Sequence, residues 1–263
     1  MLRIGTINIW NRSSWEERLP LLRKEIEAGA FDILFVQEAL RATLDGVVWD
    51  QAEILAQGLG FHVHRASHPA ADFPLGNAIL SKFPFEKTYV WELPDAGSEQ
   101  RRTLVGAVLR APKVEIPVFC THLNWRLDEG DVRMEQIRFV DEKVRTLATP
   151  GRYPALLAGD LNADPDSDEI RFLRGLTSIG GKRTFYNDVW NYIRPADFGG
   201  TFVRANPYAA VCREADRRID YLFVKGPDDS GLGEPLAASL CFDRPENGVF
   251  PSDHFGVRAD LRM

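Results

Sequence analysis

The sequence predicts an α/β protein in which two β-sheets pack on each other with helices outside. Three observations lead there. Strand-like segments clearly outnumber helical ones, two of the helical segments are short, and the longer helical patterns carry a single apolar stripe.

Residues 2–9 read as a first strand and 11–14 as a turn. A helix is expected over 18–28, with Leu19, Leu22 and Ile26 on one face and Pro20 in the first turn, where its missing N–H does no harm. Residues 32–37 form a short apolar strand ending at Glu38, and 48–58 read as helical, with Gly60 as a stop. Strands follow over 61–65, 77–80 and 88–93, then a hairpin of 104–109 and 116–121 turning through 111–113. The longest helix is expected over 130–147, because Ile137, Val140, Val144 and Leu147 share one face. A strand over 155–158 ends at Gly159-Asp160, a short helix covers 167–174, and strands over 219–224, 236–242 and 255–261 close the chain.

The chain has 263 residues, enough for one sizeable core, and shows no internal repeat or linker-like stretch, so one domain over 1–263 is expected. No apolar run reaches the roughly 18 residues of a membrane span. The N-terminus lacks the features of a secretory leader, which makes the cytoplasm the expected location. A monomer is the expected state. Cys120, Cys212 and Cys241 are too few and too scattered for a zinc knuckle or a disulfide framework and read as packed or semi-buried thiols. The net charge of -6 speaks against a dedicated nucleic-acid binder, although a bound divalent cation changes the charge inside a cleft.

Several apolar strands end in, or begin from, a polar group of the same useful kind: Asn8, Glu38, His122 with Asn124, Asp160 with Asn162, Asp220, and Asp253 with His254. One such residue is ordinarily a solvated strand end. Six cases in one chain suggest strand ends converging on one rim of a layered sheet. Hydrolysis of a phosphate ester would give that set a purpose. It needs an activated water, neutralisation of the phosphoryl oxygens and help for the leaving group. Magnesium or manganese takes oxygen ligands, and one or two carboxylates suffice to hold the ion beside a substrate phosphate. Glu38 and Asp253 are the candidate ligands. Asn8, Asn162 and His122 are candidates to hydrogen-bond phosphoryl oxygens. His254 with Asp220 has the form of a base oriented by a carboxylate.

The segments TINIW (6–10), DILFVQEA (32–39), GNAILSKFP (76–84), CTHLNW (120–125), AGDLNADPDSDE (158–169), RRIDYLFV (217–224) and PSDHFGV (251–257) together resemble the endonuclease/exonuclease/phosphatase superfamily. That group includes deoxyribonuclease I-like enzymes, apurinic endonucleases, bacterial sphingomyelinases and inositol polyphosphate 5-phosphatases. The resemblance implies a four-layer α/β/β/α sandwich of two mainly antiparallel mixed sheets, with the site at their rim. Carried over position by position, it makes Glu38 the main metal ligand, with Asn8 beside metal and phosphate and Asp253 completing the metal's surroundings. It places His122 on the scissile phosphate, and has Asp160 and Asn162 orient the nucleophile or stabilise the leaving side. It makes Asp220 the holder of His254, and leaves Asp160 and His254 both eligible as base.

Other features read more plainly. His62, His64 and His68 lack a nearby carboxylate cluster and are expected on the surface or a cleft wall. Asp164, Asp166 and Asp168 open like a calcium loop but lack its glycine and closing glutamate, so they read as a turn and helix cap. Of Arg101 and Arg102, which precede a strand, Arg102 is favoured as a substrate contact, and Asn124 is a second candidate. The stretch 204–217 precedes the Asp220 strand and is the best candidate for substrate selection. Trp10, Trp125 and Trp190 belong either in the core or beside the cleft. The expected activity is hydrolysis of phosphodiesters, nuclease-type first. A small-molecule or lipid head-group substrate is the alternative, and a non-catalytic binding protein on the same scaffold the second alternative.

Overall fold

The computed structural model describes residues 1–44, 47–67, 75–148, 152–226 and 228–263. Among them the chain forms β1 (Leu2–Asn8), α1 (Trp15–Gly29), β2 (Ile33–Leu44), β3 (Val47–Asp50), α2 (Gln51–Ala56), β4 (His62–Ser67), β5 (Leu75–Ser81), β6 (Phe85–Glu92), β7 (Thr103–Arg110) and β8 (Glu115–His122). It continues through α3 (Gly130–Leu147), β9 (Leu156–Asp160), α4 (Asp168–Leu173), β10 (Tyr186–Asp188), α5 (Val189–Ile193), α6 (Pro207–Ala210), β11 (Asp220–Lys225), β12 (Pro235–Cys241) and β13 (Gly256–Leu261).

The strands make two sheets. One has the order β12-β13-β1-β2-β5-β4, with β3 added to the far part of β2; the other has the order β10-β11-β9-β8-β7-β6. Each sheet is antiparallel except for one central parallel pair, β1 with β2 and β8 with β9. A parallel pair cannot be closed by a hairpin and needs a crossover. Helix α1 supplies one and α3 the other.

Alternation along the strands sorts the apolar side chains into layers. Leu2, Ile4, Ile33 and Phe35 meet Val105, Val118, Cys120 and Leu156 between the sheets. The opposite faces, Leu34 and Val36 in one sheet and Phe119 and Leu157 in the other, pack on Leu22 and Ile26 of α1 and on Ile137, Val140 and Val144 of α3. The result is the four-layer α/β/β/α sandwich that the resemblance implies.

Three local expectations change. The first helix begins at Trp15, so Pro20 lies in its second turn rather than its first. Residues 48–58 are not one helix: Val48 and Trp49 favour extended backbone and pair with Thr43 and Ala42. Helix α2 starts only where the Asp50 carboxylate accepts from the Glu53 N–H at 3.2 Å. The strand ending at Glu38 instead runs on to Leu44, with its register interrupted between Val36 and Ala39. The 130–147 helix keeps its expected bounds.

Candidate active site

The two parallel pairs decide where the polar strand ends go. Parallel neighbours finish on the same edge of a sheet, so Asn8, at the end of β1, comes beside Gln37 and Glu38 of β2. In the other sheet His122 comes beside Asp160, and Asp220 of β11 pairs with Asp160 from the opposite side. Stacking the sheets brings these edges together.

Asp160 is the centre of the arrangement. Its Oδ2 accepts from Asn8 Nδ2 at 3.0 Å and lies 3.3 Å from His122 Nε2 and 3.8 Å from His254 Nε2. Its Oδ1 accepts the backbone N–H of Asn162 at 3.0 Å. Burial, then the neighbouring Asp220 charge, raises the Asp160 carboxyl to about 7, against the pull of His254 and Asn8. His254 Nδ1 is 2.9 Å from Asp220 Oδ2, and both residues are buried. Burial lowers the His254 pKa, but Asp220, Asp253 and Asp160 together outweigh it and raise it well above the usual value. His122 moves the other way, well down, through burial and the charges of Arg102 and His254.

Arg102 Nη1 is 3.2 Å from His122 Nδ1. A guanidinium only donates, so Nδ1 accepts and the His122 proton sits on Nε2, facing Asp160. Asn162 Nδ2 lies 3.0 Å from the same Nε2, where the ring N–H offers it no acceptor, and it donates to the Leu123 carbonyl.

Glu38 lies on the other flank. Its backbone is in the left-handed region, φ 57°, at the register break in β2. Its two carboxylate oxygens accept from Asn8 Nδ2 at 3.3 Å and Asn11 Nδ2 at 2.9 Å. Asp253 accepts from Ser252 Oγ and is raised to about 6, first by burial and further by the Glu38 charge, with His254 opposing. Among the described residues neither Glu38 nor Asp253 forms an ion pair with lysine or arginine. Two crowded carboxylates without a paired cation form an oxygen-donor set that fits a hard divalent cation. A tighter group, Asp160, Asp220 and His254, has ligand atoms within 4.8 Å of one another. In that group the His254–Asp220 bond occupies Asp220 Oδ2, while Asp220 Oδ1 is buried without a partner among the described residues.

The structure thus brings Asn8, Glu38, His122, Asp160, Asn162, Asp220, Asp253 and His254 together, with Arg102 behind His122. Asn124 is not part of this group. It is wholly buried: its amide donates to Ser98 and Glu129 and accepts from Gln136. It fixes the loop that leaves Trp125 exposed at the cleft. Trp190 is core, whereas Trp10 stacks on Tyr208 at 4.8 Å and brings the 204–217 stretch over the rim. His64 lies 3.1 Å from the Tyr89 carbonyl, and His62 is exposed; His68 lies outside the described residues. Asp164 is spent on Arg217, and Ser167 occupies the cap position of α4 without a side-chain cap bond. Cys212 is exposed, unlike the packed or semi-buried thiol expected there.

Three contributors escaped the sequence reading. Asn11 holds Glu38 from a turn. Ser252 Oγ donates to the Asn8 carbonyl at 2.6 Å and so ties the end of β1 to the loop before β13. Arg18, fully buried, donates to the carbonyls of Ile9, Trp10, Asn11, Ser13 and Pro251. An arginine at a helical position facing backbone carbonyls gives no sequence signal.

A profile of the endonuclease/exonuclease/phosphatase family matches residues 5–254. The chain belongs to that family. Its members are metal-dependent phosphoester hydrolases, and the chain is an enzyme of that class. Comparison with curated proteins gives no significant match. Among solved structures, a humanized TDP2 from D. rerio is similar over 100% of this chain and 99% of its own, with TM-score 0.77 and 18% identity. A family protein from Beutenbergia cavernae matches 100% of this chain and 71% of its own, with TM-score 0.71 and 26% identity. A mannosyl-6-phosphatase from Bacteroides thetaiotaomicron covers both chains fully, with TM-score 0.76 and 19% identity. No helix among the described residues is long and apolar enough to cross a membrane.

Proposed function

We propose that this enzyme hydrolyses phosphate esters with magnesium or manganese held on Glu38, assisted by Asn8 and Asp253. The observation that carries the reading is the convergence on Asp160 Oδ2 of Asn8 from one sheet, His122 from the other and His254 from the loop before β13. When bound, the cation neutralises phosphoryl oxygens and offsets the crowding of carboxylates. Asn8, His122 Nε2–H and Asn162 donate to Asp160, Glu38 and the Leu123 carbonyl in the free enzyme, and in this reading they exchange those partners for phosphoryl oxygens when substrate binds. Asp160 Oδ2 and His254 Nε2, 3.8 Å apart, are the two candidates to take the proton of the attacking water, and His254 can do so only from its neutral form, which its raised pKa disfavours in the free enzyme. Asp220 holds His254 in orientation, the role that a carboxylate plays behind a catalytic histidine elsewhere.

Nuclease-type phosphodiester cleavage is the first substrate reading, and likeness to TDP2 is compatible with it. A small phosphorylated substrate is the second. It is favoured by the net charge of -6 and by the carboxylates of Glu214 and Asp216 in the stretch beside the rim. The test is a panel with magnesium: plasmid DNA, single-stranded RNA, bis-p-nitrophenyl phosphate, sphingomyelin, inositol phosphates and hexose phosphates. Turnover of at least one ester, abolished by chelator and by His254→Ala, is expected. Turnover without metal, or full activity in Glu38→Ala, would overturn the mechanism.

A further inference from the structure

The polar cluster separates two concavities of opposite character. One, about 370 Å³, is lined by Glu38, Asn77, Gln100, Arg102, His122 and Trp125 among others. Arg102 spends Nη1 on His122 and Nη2 on Gln100, but its Nε is buried with no partner, and so is Asn77 Oδ1. A buried guanidinium N–H without an acceptor is costly, and an anionic oxygen is the group that satisfies it best.

The second concavity, about 790 Å³, lies beyond Asn162. Arg217 joins the two, donating to the Asn162 carbonyl at 2.9 Å. Its walls carry the carboxylates of Asp164, Asp166, Glu214 and Asp216 against only two guanidinium groups, Arg213 and Arg217. Arg217 is committed to Asp164 and Glu214, and Arg204 to Asp216, so among the described residues Asp166 is the one carboxylate of this wall without an ion pair. Phe198 and Leu127, 52% and 61% exposed, add an apolar face. Carboxylates accept from hydroxyl groups and repel phosphate. An apolar ring surface beside them suits the face of a hydroxylated ring.

We propose that the cleft takes a small phosphate ester in one orientation, with its phosphate toward Arg102 and its esterified alcohol, uncharged and rich in hydroxyl groups, between Phe198 and Asp166. This rests on the metal-assisted phosphoesterase reading, takes up the second of its two substrate readings over the first, and names the substrate class. A polynucleotide, which carries phosphates on both sides of the scissile bond, meets the acidic wall and is disfavoured.

The magnesium-loaded protein is assayed on a hexose monophosphate, on p-nitrophenyl phosphate and on a short oligothymidylate. A kcat/KM on the hexose phosphate at least 100-fold above that on the oligonucleotide is expected. Asp166→Lys, on an exposed loop, lowers the hexose-phosphate to p-nitrophenyl-phosphate ratio of kcat/KM at least tenfold, and Phe198→Ala lowers it in the same direction. A preference for the oligonucleotide, or a ratio unchanged in both variants, overturns the inference. Calorimetry reads the pocket independently of turnover. Hexose phosphate binds at least tenfold more tightly than inorganic phosphate if the pocket is used, and equal affinities overturn it. Absence of metal-dependent turnover on every substrate, with that tighter binding retained, sinks the phosphoesterase reading and leaves the pocket assignment standing.

Discussion

Asn8 Nδ2 lies 3.0 Å from Asp160 Oδ2, and through that bond the first strand of one sheet is fastened to a central strand of the other at the cleft floor. The same amide group donates to Glu38 at 3.3 Å. One side chain therefore spaces two carboxylates that would otherwise repel each other. Asn8→Ala removes both donors, and kcat on a diester is expected to fall on the order of 10²-fold, the effect of losing one positioned donor. The accompanying stability loss is about 1–3 kcal/mol, because buried acceptors are left unpaired. Steady-state kinetics and a melting curve on the same preparation measure the two effects. A wild-type kcat would remove Asn8 from the reaction.

The strand-end reasoning worked where strand pairing forces convergence. Asn8, His122 and Asp160 finish the parallel pairs, so an apolar strand followed by a polar residue was enough to find them. It failed at Asn124, which also follows an apolar strand but whose amide is consumed by Ser98, Glu129 and Gln136. No property of the sequence distinguishes a satisfied asparagine from a free one. The helix over 130–147 was legible because its stripe persists for several turns, whereas β10, α5 and α6 are too short to show a period. Residues 48–58 misled because β3 and α2 join without a break, and the switch depends on one carboxylate cap at Asp50.

Glu38 tests the metal assignment. Its carboxylate is held by Asn8 and Asn11 from two sides, on a backbone that leaves the regular strand conformation at that residue. Glu38→Gln keeps the size and removes the charge. Loss of a group that only supports a ligand weakens metal binding about 10–100-fold, so loss of the ligand itself should reach at least the upper part of that range. Calorimetric titration of the metal-free protein with magnesium or manganese measures it. Unchanged metal affinity would move the site to other residues.

Arg18 is expected to matter as much as any residue in the cleft without touching substrate. Its guanidinium gathers carbonyls from the loop after β1 and the loop before β13 at 2.7 to 3.3 Å and lies against Trp10, which in turn stacks on Tyr208. Burial lowers its pKa to about 10, against the charges of Asp253, Tyr208 and Glu38, so it stays charged at neutral pH. Arg18→Met leaves several buried carbonyls unpaired at about 1–3 kcal/mol each before relaxation. A loss of at least about 3 kcal/mol in urea unfolding is expected, by the same principle. Any folded fraction should also bind metal more weakly. A variant of wild-type stability would show that solvent or rearranged loops satisfy those carbonyls.

The last prediction concerns stability against pH, far from the cleft. Asp141 of α3 is buried and accepts from Thr184, Tyr186, Arg145 and Lys225. Burial pushes its pKa up, but the hydrogen bonds from Thr184 and Arg145 and the Lys225 charge more than offset this, and the net shift is below the usual 3.8. Lys225 is itself shifted down, because its own burial outweighs the attraction of Asp141. A carboxylate whose folded pKa is depressed contributes its full stability above the unfolded pKa and loses it as pH falls through the folded one. Asp141→Asn should cost roughly 2–3 kcal/mol at pH 7, since charge-assisted bonds are lost and Lys225 is left without a counter-ion. The gap between wild type and variant should close as pH drops below the usual carboxylate range, because protonation does to Asp141 what the mutation does. Urea unfolding at pH 7 and near pH 3 checks this. A gap of the same size at both values would mean that side-chain shape, not charge, sets the contribution of Asp141.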